Sequence, residues 1–371
     1  MAVPITFVSS HARQGGSERY LLVLLDELGP AWIRGVVALE DGHLVAELGR
    51  RSYETAVIPT SARSRGIALS ARRLRRELMQ TQPALVHANG VKAALVSVLA
   101  AWGTGVPVVW VKHDFSRDGR LARWIGARCA RVVGVTPEVL QTFAGTPTEP
   151  RTRVVYTGVD PRPVDRDSGR RLLEEALGDG QGGPFVLLVG RFDPAKGHRE
   201  LLAVTPALAE AFPEIRVVFV GADDPSHGGH ADRLRQEGSR LGVSSHLRFL
   251  GYWDDAVDLI SGADAVVIPS TEVHSHFKEA FPLVGLEALV AGTPVVAYAD
   301  GGLPGQLGDC ALLVPPGDRE ALLAAIVKVL RNDRLRNELS RCGQERVSRL
   351  FSLDRMVTQM GCVYAEVASS S

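Results

Sequence analysis

At 371 residues the chain is long enough for two domains that each bury a core. With 45% hydrophobic and 23% charged residues its composition is ordinary for a globular protein, which excludes extensive disorder. The 42 basic and 42 acidic residues cancel overall but are unevenly placed: up to Asp160 there are 20 lysines and arginines against 13 acids, leaving 22 against 29 beyond it.

The opening "MAVPITFVSSHARQGG" has no basic segment followed by a long apolar core, so no secretory signal peptide is expected. Strand-like runs then alternate with amphipathic segments: "PITFVS", "RGVVAL", "TAVIP", "ALVHA", "PVVWV", "RVVGV" and "RVVYT". This is the pattern of a parallel sheet with crossover helices. Gly15 and Gly16 fall between the first strand and a helix that Ser17 can cap, where a backbone can approach a phosphate or sugar closely. The glycines do not form a G-x-G-x-x-G fingerprint, which argues against a nicotinamide dehydrogenase.

Residues 50–131 hold 15 basic and 4 acidic side chains. They form either a solvated arginine-rich surface or one that faces an acidic partner, such as a phosphate-bearing substrate or an anionic membrane. Within them "RSRGIALSARRLRREL" sets arginines at helical spacing beside Ile67, Leu69, Leu74 and Leu78, a pattern that could lie on such a membrane. Residues 93–110 are uncharged, but "GTGVP" breaks them into helix end, turn and strand, which excludes a membrane span. His87 in "LVHANG" and His113 in "VVWVKHDF" each stand at or just past the end of a strand, where a substrate-facing histidine would be placed. The alternative for both is an ordinary hydrogen-bonded histidine.

Residues 160–183 are rich in Pro, Gly, Asp and Arg and read as an interdomain linker. The alternation restarts with "PFVLLVG", "IRVVFVG", "LRFLG", "DAVVIPS", "PVVAYA" and "ALLVPP", and helical periodicity runs from Arg319 to the C-terminus. The expected fold is therefore α/β, with two doubly wound Rossmann-like domains in series and ligands bound at the carboxyl ends of the strands. The expected boundaries are 1–165 and 166–371, the last helix, about 352–367, packing back on the N-terminal domain.

In "LLVGRFDPAKGHRELL" a strand ends at Gly190, and Arg191 and Lys196 follow in the loop, two cations able to hold a diphosphate. In "EAFPLVGLEALVAGTPVVA" Pro282 suits the first helical position and Gly292 the residue after the last, so a short helix is predicted over 282–291. Its N-terminus attracts anions. Glu287 in its second turn and Glu279 in the loop before it can both face that end and accept hydrogen bonds from sugar hydroxyls; the plainer reading of Glu287 is a solvated residue. The four cysteines, Cys129, Cys310, Cys342 and Cys362, contain no C-x-x-C pair. That fits a reducing compartment and argues against a disulfide framework or thiolate metal site. For His274 and His276 no further metal ligands stand at suitable spacing, so no metal site is assigned.

Taken in order, "GGSERYLL", "VKHDF", "GRFDPAKGHRELL", "EAFPLVGLEALVAGTPVVA" and "GG...ALLVPPGD" resemble a retaining glycosyltransferase of the GT-B fold, of the large family 4 type. The resemblance spans nearly the whole chain. It implies two Rossmann-like domains facing a central cleft, a nucleoside diphosphate sugar as donor, and an acceptor held mainly by the first domain. Carried over by position, it implies that Arg191 and Lys196 neutralise the leaving diphosphate and that Glu279 contacts the donor sugar with backbone N–H groups near Phe281, Pro282 and Leu283. Glu287 takes the ribose hydroxyls, Gly15 and Gly16 lie against the donor, and His113 touches the transferred sugar.

Retention is ascribed to attack on the leaving group's face, with no metal or other cofactor and no nucleic acid involved. The acceptor is a small molecule, a glycan or a lipid-linked molecule. The location implied is cytoplasmic, with peripheral contact at the inner face of an anionic membrane as one option. A sugar-nucleotide epimerase of the same fold, or a nucleotide-sugar-binding pseudoenzyme, is the alternative. Departures from the family pattern are "EAFPL" for Glu-Gly-Phe-Gly-Leu, "GGLPGQ" for Gly-Gly-x-x-Glu, and "YTGVD" for Asn-Gly-Val-Asp.

Overall fold

The computed structural model describes residues 2–370 apart from 62, 161, 163, 179–181, 224–227, 254 and 271–277. The chain divides into two compact units, Met1–Gly158 with Leu353–Ser371, and Val159–Ser352.

The first unit is built on seven strands, β1 (Ile5–Ser9), β2 (Ile33–Ala38), β3 (Thr55–Val57), β4 (Leu85–Asn89), β5 (Val108–Lys112), β6 (Arg131–Gly134) and β7 (Thr152–Val154). All are parallel, in the order β3-β2-β1-β4-β5-β6-β7. Every residue of β1, β4 and β5 is buried, as a strand covered by helices on both faces requires. The crossovers include α1 (Gly16–Leu28), α2 (His43–Arg50), α3 (Ser64–Thr81), α4 (Val91–Ala101) and α5 (Arg120–Gly126). Leu353–Ser369 form a C-terminal helix that belongs to this unit although the rest of the second unit intervenes in sequence. Its Tyr364 is fully buried against Phe7 of β1 and His87 of β4.

The second unit repeats the plan with six parallel strands: β8 (Phe185–Val189), β9 (Arg216–Val220), β10 (Leu247–Leu250), β11 (Ala265–Ile268), β12 (Val295–Tyr298) and β13 (Leu312–Val314). Their order is β10-β9-β8-β11-β12-β13. Its helices include α6 (Arg166–Leu177), α7 (His198–Ala211), α8 (His230–Arg240), α9 (Val257–Ser261), α10 (Leu283–Ala291), α11 (Leu303–Leu307), α12 (Arg319–Arg331) and α13 (Asp333–Leu350). In both units the strand order reverses between the first strand and the fourth, β1 beside β4 and β8 beside β11, which places a crevice at their carboxyl ends.

Three expectations are corrected by the fold. Residues 160–183 are not simply a linker, because Asp165 caps α6 by accepting from the Asp167 and Ser168 N–H groups, and Leu173 buries completely in the second unit. The division between units accordingly falls after Gly158, ahead of the expected boundary at 165. Cys310 and Cys342 form a disulfide that joins the turn after α11 to α13; a pairing across 32 residues is set by helix packing and leaves no mark in cysteine spacing. Residues 93–110 form the end of α4, a turn and β5, and no described helix is long and apolar enough to cross a membrane.

Candidate functional site

In the second unit the loop after β8 turns at Pro194–Lys196, where the Asp193 side chain accepts from the Ala195 N–H at 2.9 Å. Gly197 closes the turn with φ 73°, and a Cβ there would lie 2.0 Å from the Pro269 carbonyl oxygen at the end of β11. Only glycine lets the two strand-end loops pack this closely. The contact brings Lys196 to Glu279: its ammonium is ion-paired with Glu279 Oε1, and the Ser270 hydroxyl donates to the same oxygen at 3.3 Å. Glu279 is 7% exposed. Its main chain is gripped too, because the Gly302 N–H donates to its carbonyl at 2.8 Å and a Cβ on Gly301 would lie 2.0 Å from that oxygen. A buried carboxylate held at both ends is a fixed acceptor, and its lysine a fixed cation.

Glu279 stands just ahead of α10, which starts at Leu283 with Pro282 as its N-cap residue, one position later than predicted. Gly292 ends it with φ 66°, as the sequence led one to expect. Glu287 is buried together with Leu286, Ala288 and Leu289, which overturns its reading as a solvated residue. Phe281 packs edge-on against Phe351 at 5.5 Å. Arg191 is exposed at the end of β8. Sequence reasoning missed two side chains here. Ser270 is one; the other is Gln306, fully buried in α11, whose Nε2 donates to the Pro282 carbonyl at 2.9 Å. "GGLPGQ" marked the place as a departure but gave no sign of this bond. His274 and His276 lie outside the described residues.

The first unit gathers a second group at its own strand-order reversal. Gly15 is the N-cap of α1, with φ −154°, an extended backbone that any residue adopts. Ser17 does not cap the helix; its hydroxyl donates to Glu18 Oε2 at 2.8 Å. His113, just past β5, bonds through Nε2 to Asn89 Oδ1 at 2.6 Å, and Asn89 Nδ2 donates to the Ser17 carbonyl at 2.9 Å. The loop holding His113 is braced by buried Lys112, which pairs with Asp118 at 2.7 Å and donates to the Asp114 carbonyl. Burial pushes the His113 pKa down to about 4, with Asp114 opposing and Lys112 reinforcing that shift. Asn89 was missed, although a polar residue closing an apolar strand was the available signal.

His87 is a core residue. It is fully buried, its Nδ1 lies 2.7 Å from the Tyr364 hydroxyl, and burial pushes its pKa down to about 3. On α3, Leu74 and Leu78 are also core, leaving Leu69 (57% exposed) and Met79 (61% exposed) as its large outward apolar side chains.

Two parallel sheets of this order, each with polar groups gathered at the reversal, define the GT-B fold. The chain superimposes on Anabaena HepE in complex with UDP (TM-score 0.82, 23% identity, 99% of this chain and 100% of that one). It also matches a glycosyltransferase from Rickettsia africae (TM-score 0.85, 19% identity, all of both chains). Residues 170–346 match the family model for glycosyl transferases group 1, and residues 14–162 match that for Glycosyltransferase Family 4. The chain belongs to this glycosyltransferase family. It is 32% identical to the D-inositol 3-phosphate glycosyltransferase of Salinispora arenicola over 77% of this chain and 69% of that one. With the phosphatidyl-myo-inositol mannosyltransferase of Mycobacterium leprae it shares 36% identity over 51% of this chain and 48% of that one.

Proposed function

We propose that the protein is a retaining glycosyltransferase that moves a hexose from a nucleoside diphosphate sugar to a hydroxyl of an anionic acceptor. The observation that carries this reading is the Lys196–Glu279 pair, which ties the loop after β8 to the segment leading into α10. Phosphate oxygens at the N-terminus of α10 would meet free N–H groups and the positive end of the helix dipole, with Lys196 and Arg191 neutralising the charge that develops as the diphosphate leaves. Glu279 and Glu287 would accept hydrogen bonds from hydroxyls of the donor sugar and ribose. His113, Gly15 and Gly16 would lie against the transferred sugar.

In the reaction the acceptor oxygen forms a bond to the anomeric carbon on the face from which the diphosphate departs. The carbon–oxygen bond to phosphate breaks, and the acceptor proton passes to a phosphate oxygen. The protein's share is positioning and charge neutralisation, and no protein nucleophile is needed. Relatives named for inositol phosphate and phosphatidylinositol, together with the arginine excess in residues 50–131, support an anionic polyol phosphate, free or lipid-linked, as acceptor. On α3 the outward Arg65, Arg72, Arg73 and Arg76 with Leu69 and Met79 support peripheral binding to an anionic membrane surface, driven by charge more than by apolar insertion.

The test is incubation with UDP-, GDP-, ADP- and dTDP-sugars, with and without inositol phosphates and lipid-linked acceptors, following donor and nucleoside diphosphate by mass spectrometry and product anomeric configuration by NMR. Acceptor-dependent diphosphate release with retained configuration is the expected result. Donor isomerised without acceptor would move the assignment to an epimerase, and donor bound but unchanged across the panel would make the chain a binding protein. For the membrane contact, co-flotation with anionic vesicles should be strong at low salt and lost at high salt.

A further inference from the structure

Asn89 is the last residue of β4, 1% exposed, and its neighbours in register are Ser9 on β1 and Val111 on β5. It therefore sits at the reversal of strand order, with α1 entered from one side and His113 from the other. Its amide makes two bonds that differ in kind. The Ser17 main-chain carbonyl can only accept, so the NH2 end of the amide must face it, at 2.9 Å. The amide oxygen must then face His113 Nε2, at 2.6 Å, and that oxygen can only accept. Nε2 therefore carries a proton. Tyr20 packs edge-on against the imidazole with ring centroids 4.8 Å apart, which fixes the ring plane. Burial keeps the ring uncharged at neutral pH, so it holds one proton and Nδ1 keeps its lone pair.

We infer that Asn89 is a positioning residue that locks His113 in the Nε2–H tautomer, making His113 an acceptor for a sugar hydroxyl through Nδ1, while tethering the first turn of α1 through Ser17. A ring in this state accepts from an O–H and cannot donate to a phosphate or ring oxygen, so the lock selects what His113 can recognise. The sugar-facing half rests on the role of His113 proposed above; the tautomer does not.

The experiment is two-bond 15N–1H correlation NMR of the labelled full chain at pH 8, with initial-rate kinetics on the same samples. Wild type should give the Nε2–H pattern for His113, with Nδ1 unprotonated. Asn89→Ala should give a tautomer mixture, with kcat falling about tenfold to a hundredfold, the scale set by a mispositioned hydrogen bond, and KM changing less. Asn89→Asp, whose carboxylate still accepts from Nε2–H but cannot donate to Ser17, should restore the tautomer and part of the rate. A wild-type Nδ1–H pattern, or an unmixed tautomer in Asn89→Ala, would overturn the inference whatever the activity. Full transfer activity in His113→Ala, with the tautomer as inferred, would instead overturn the sugar contact of His113 and with it the sugar-facing half of this inference.

Discussion

The two units share one topology and solve different problems with it. At the reversal in the second unit the groups brought together are charged, Lys196 on Glu279 with Ser270 beside them. At the matching place in the first unit the chain is His113, Asn89 and a main-chain carbonyl, held by direction alone. An ion pair fixes two opposite charges in place; a neutral relay fixes which end of a side chain donates and which accepts. Damage to the first should therefore be large and electrostatic, and damage to the second smaller and geometric.

The comparison breaks most severely at Lys196. Lys196→Ala removes the cation and leaves a carboxylate that is 7% exposed without its partner, a change that typically costs about 3–5 kcal/mol. Rates of glycosyl transfer should fall on the order of a thousandfold, and the melting temperature should drop with them. Adding Glu279→Gln should recover stability but not rate. A double variant as unstable as Lys196→Ala would show that the pair is not coupled.

The disulfide separates the units by stability instead of chemistry. Closing a loop across 32 residues restricts the unfolded chain by about 3–4 kcal/mol, and this linkage lies wholly in the second unit. Cys342→Ser, or a thiol reductant, should lower the melting of that unit and leave hydrogen exchange in β1, β4 and β5 unchanged. Equal loosening of both units would show that they unfold as one.

Acid tests what the two units share. His87 in the first unit and His198 in the second are fully buried, and burial pushes each pKa down to about 3; part-buried His113 in the first unit is pushed down to about 4, and burial also lowers His230 in the second. Unfolding returns each imidazole to about 6.5, so the unfolded chain binds more protons below that value. Stability is fully present above about pH 6.5 and is lost as pH falls toward 4 and below, at up to about 1.4 kcal/mol per pH unit for each histidine. Each unit holds two such histidines, so exchange protection should fall in both. Protection that is flat from pH 7 to 4.5 in both units would mean that these rings are charged in the folded protein.

What could be read in advance follows the same division. The strands of the described residues coincide with short apolar runs in the sequence, most of them rich in Val, because burial in a covered parallel sheet is a local requirement. The end of α10 is written in Gly292. Lys196 and Glu279 were singled out because charge stands out beside apolar runs. Asn89 and His113, Ser270 and Glu279, and Cys310 and Cys342 are partnerships made by strand order and helix packing, and a linear pattern carries neither. Residues 160–183 misled for a related reason: their polar face is real, but Asp165 and Leu173 still start and bury a helix.

The smallest effect belongs to the core of the first unit and decides where its polar relay ends. Tyr364 on the C-terminal helix is fully buried, burial keeps its phenol protonated, and its hydroxyl shares a hydrogen bond with Nδ1 of neutral His87 at 2.7 Å. Tyr364→Phe keeps the ring that packs on Phe7 and Trp32 and removes only the hydroxyl, leaving His87 Nδ1 buried without its partner. The expected cost is about 1–2 kcal/mol, measured by denaturant melts, with kcat and KM unchanged. The two readouts separate two roles: lost stability with intact kinetics keeps His87 as packing, whereas a raised donor KM at unchanged stability would join it to His113 and extend the relay from the strand ends into the sheet itself.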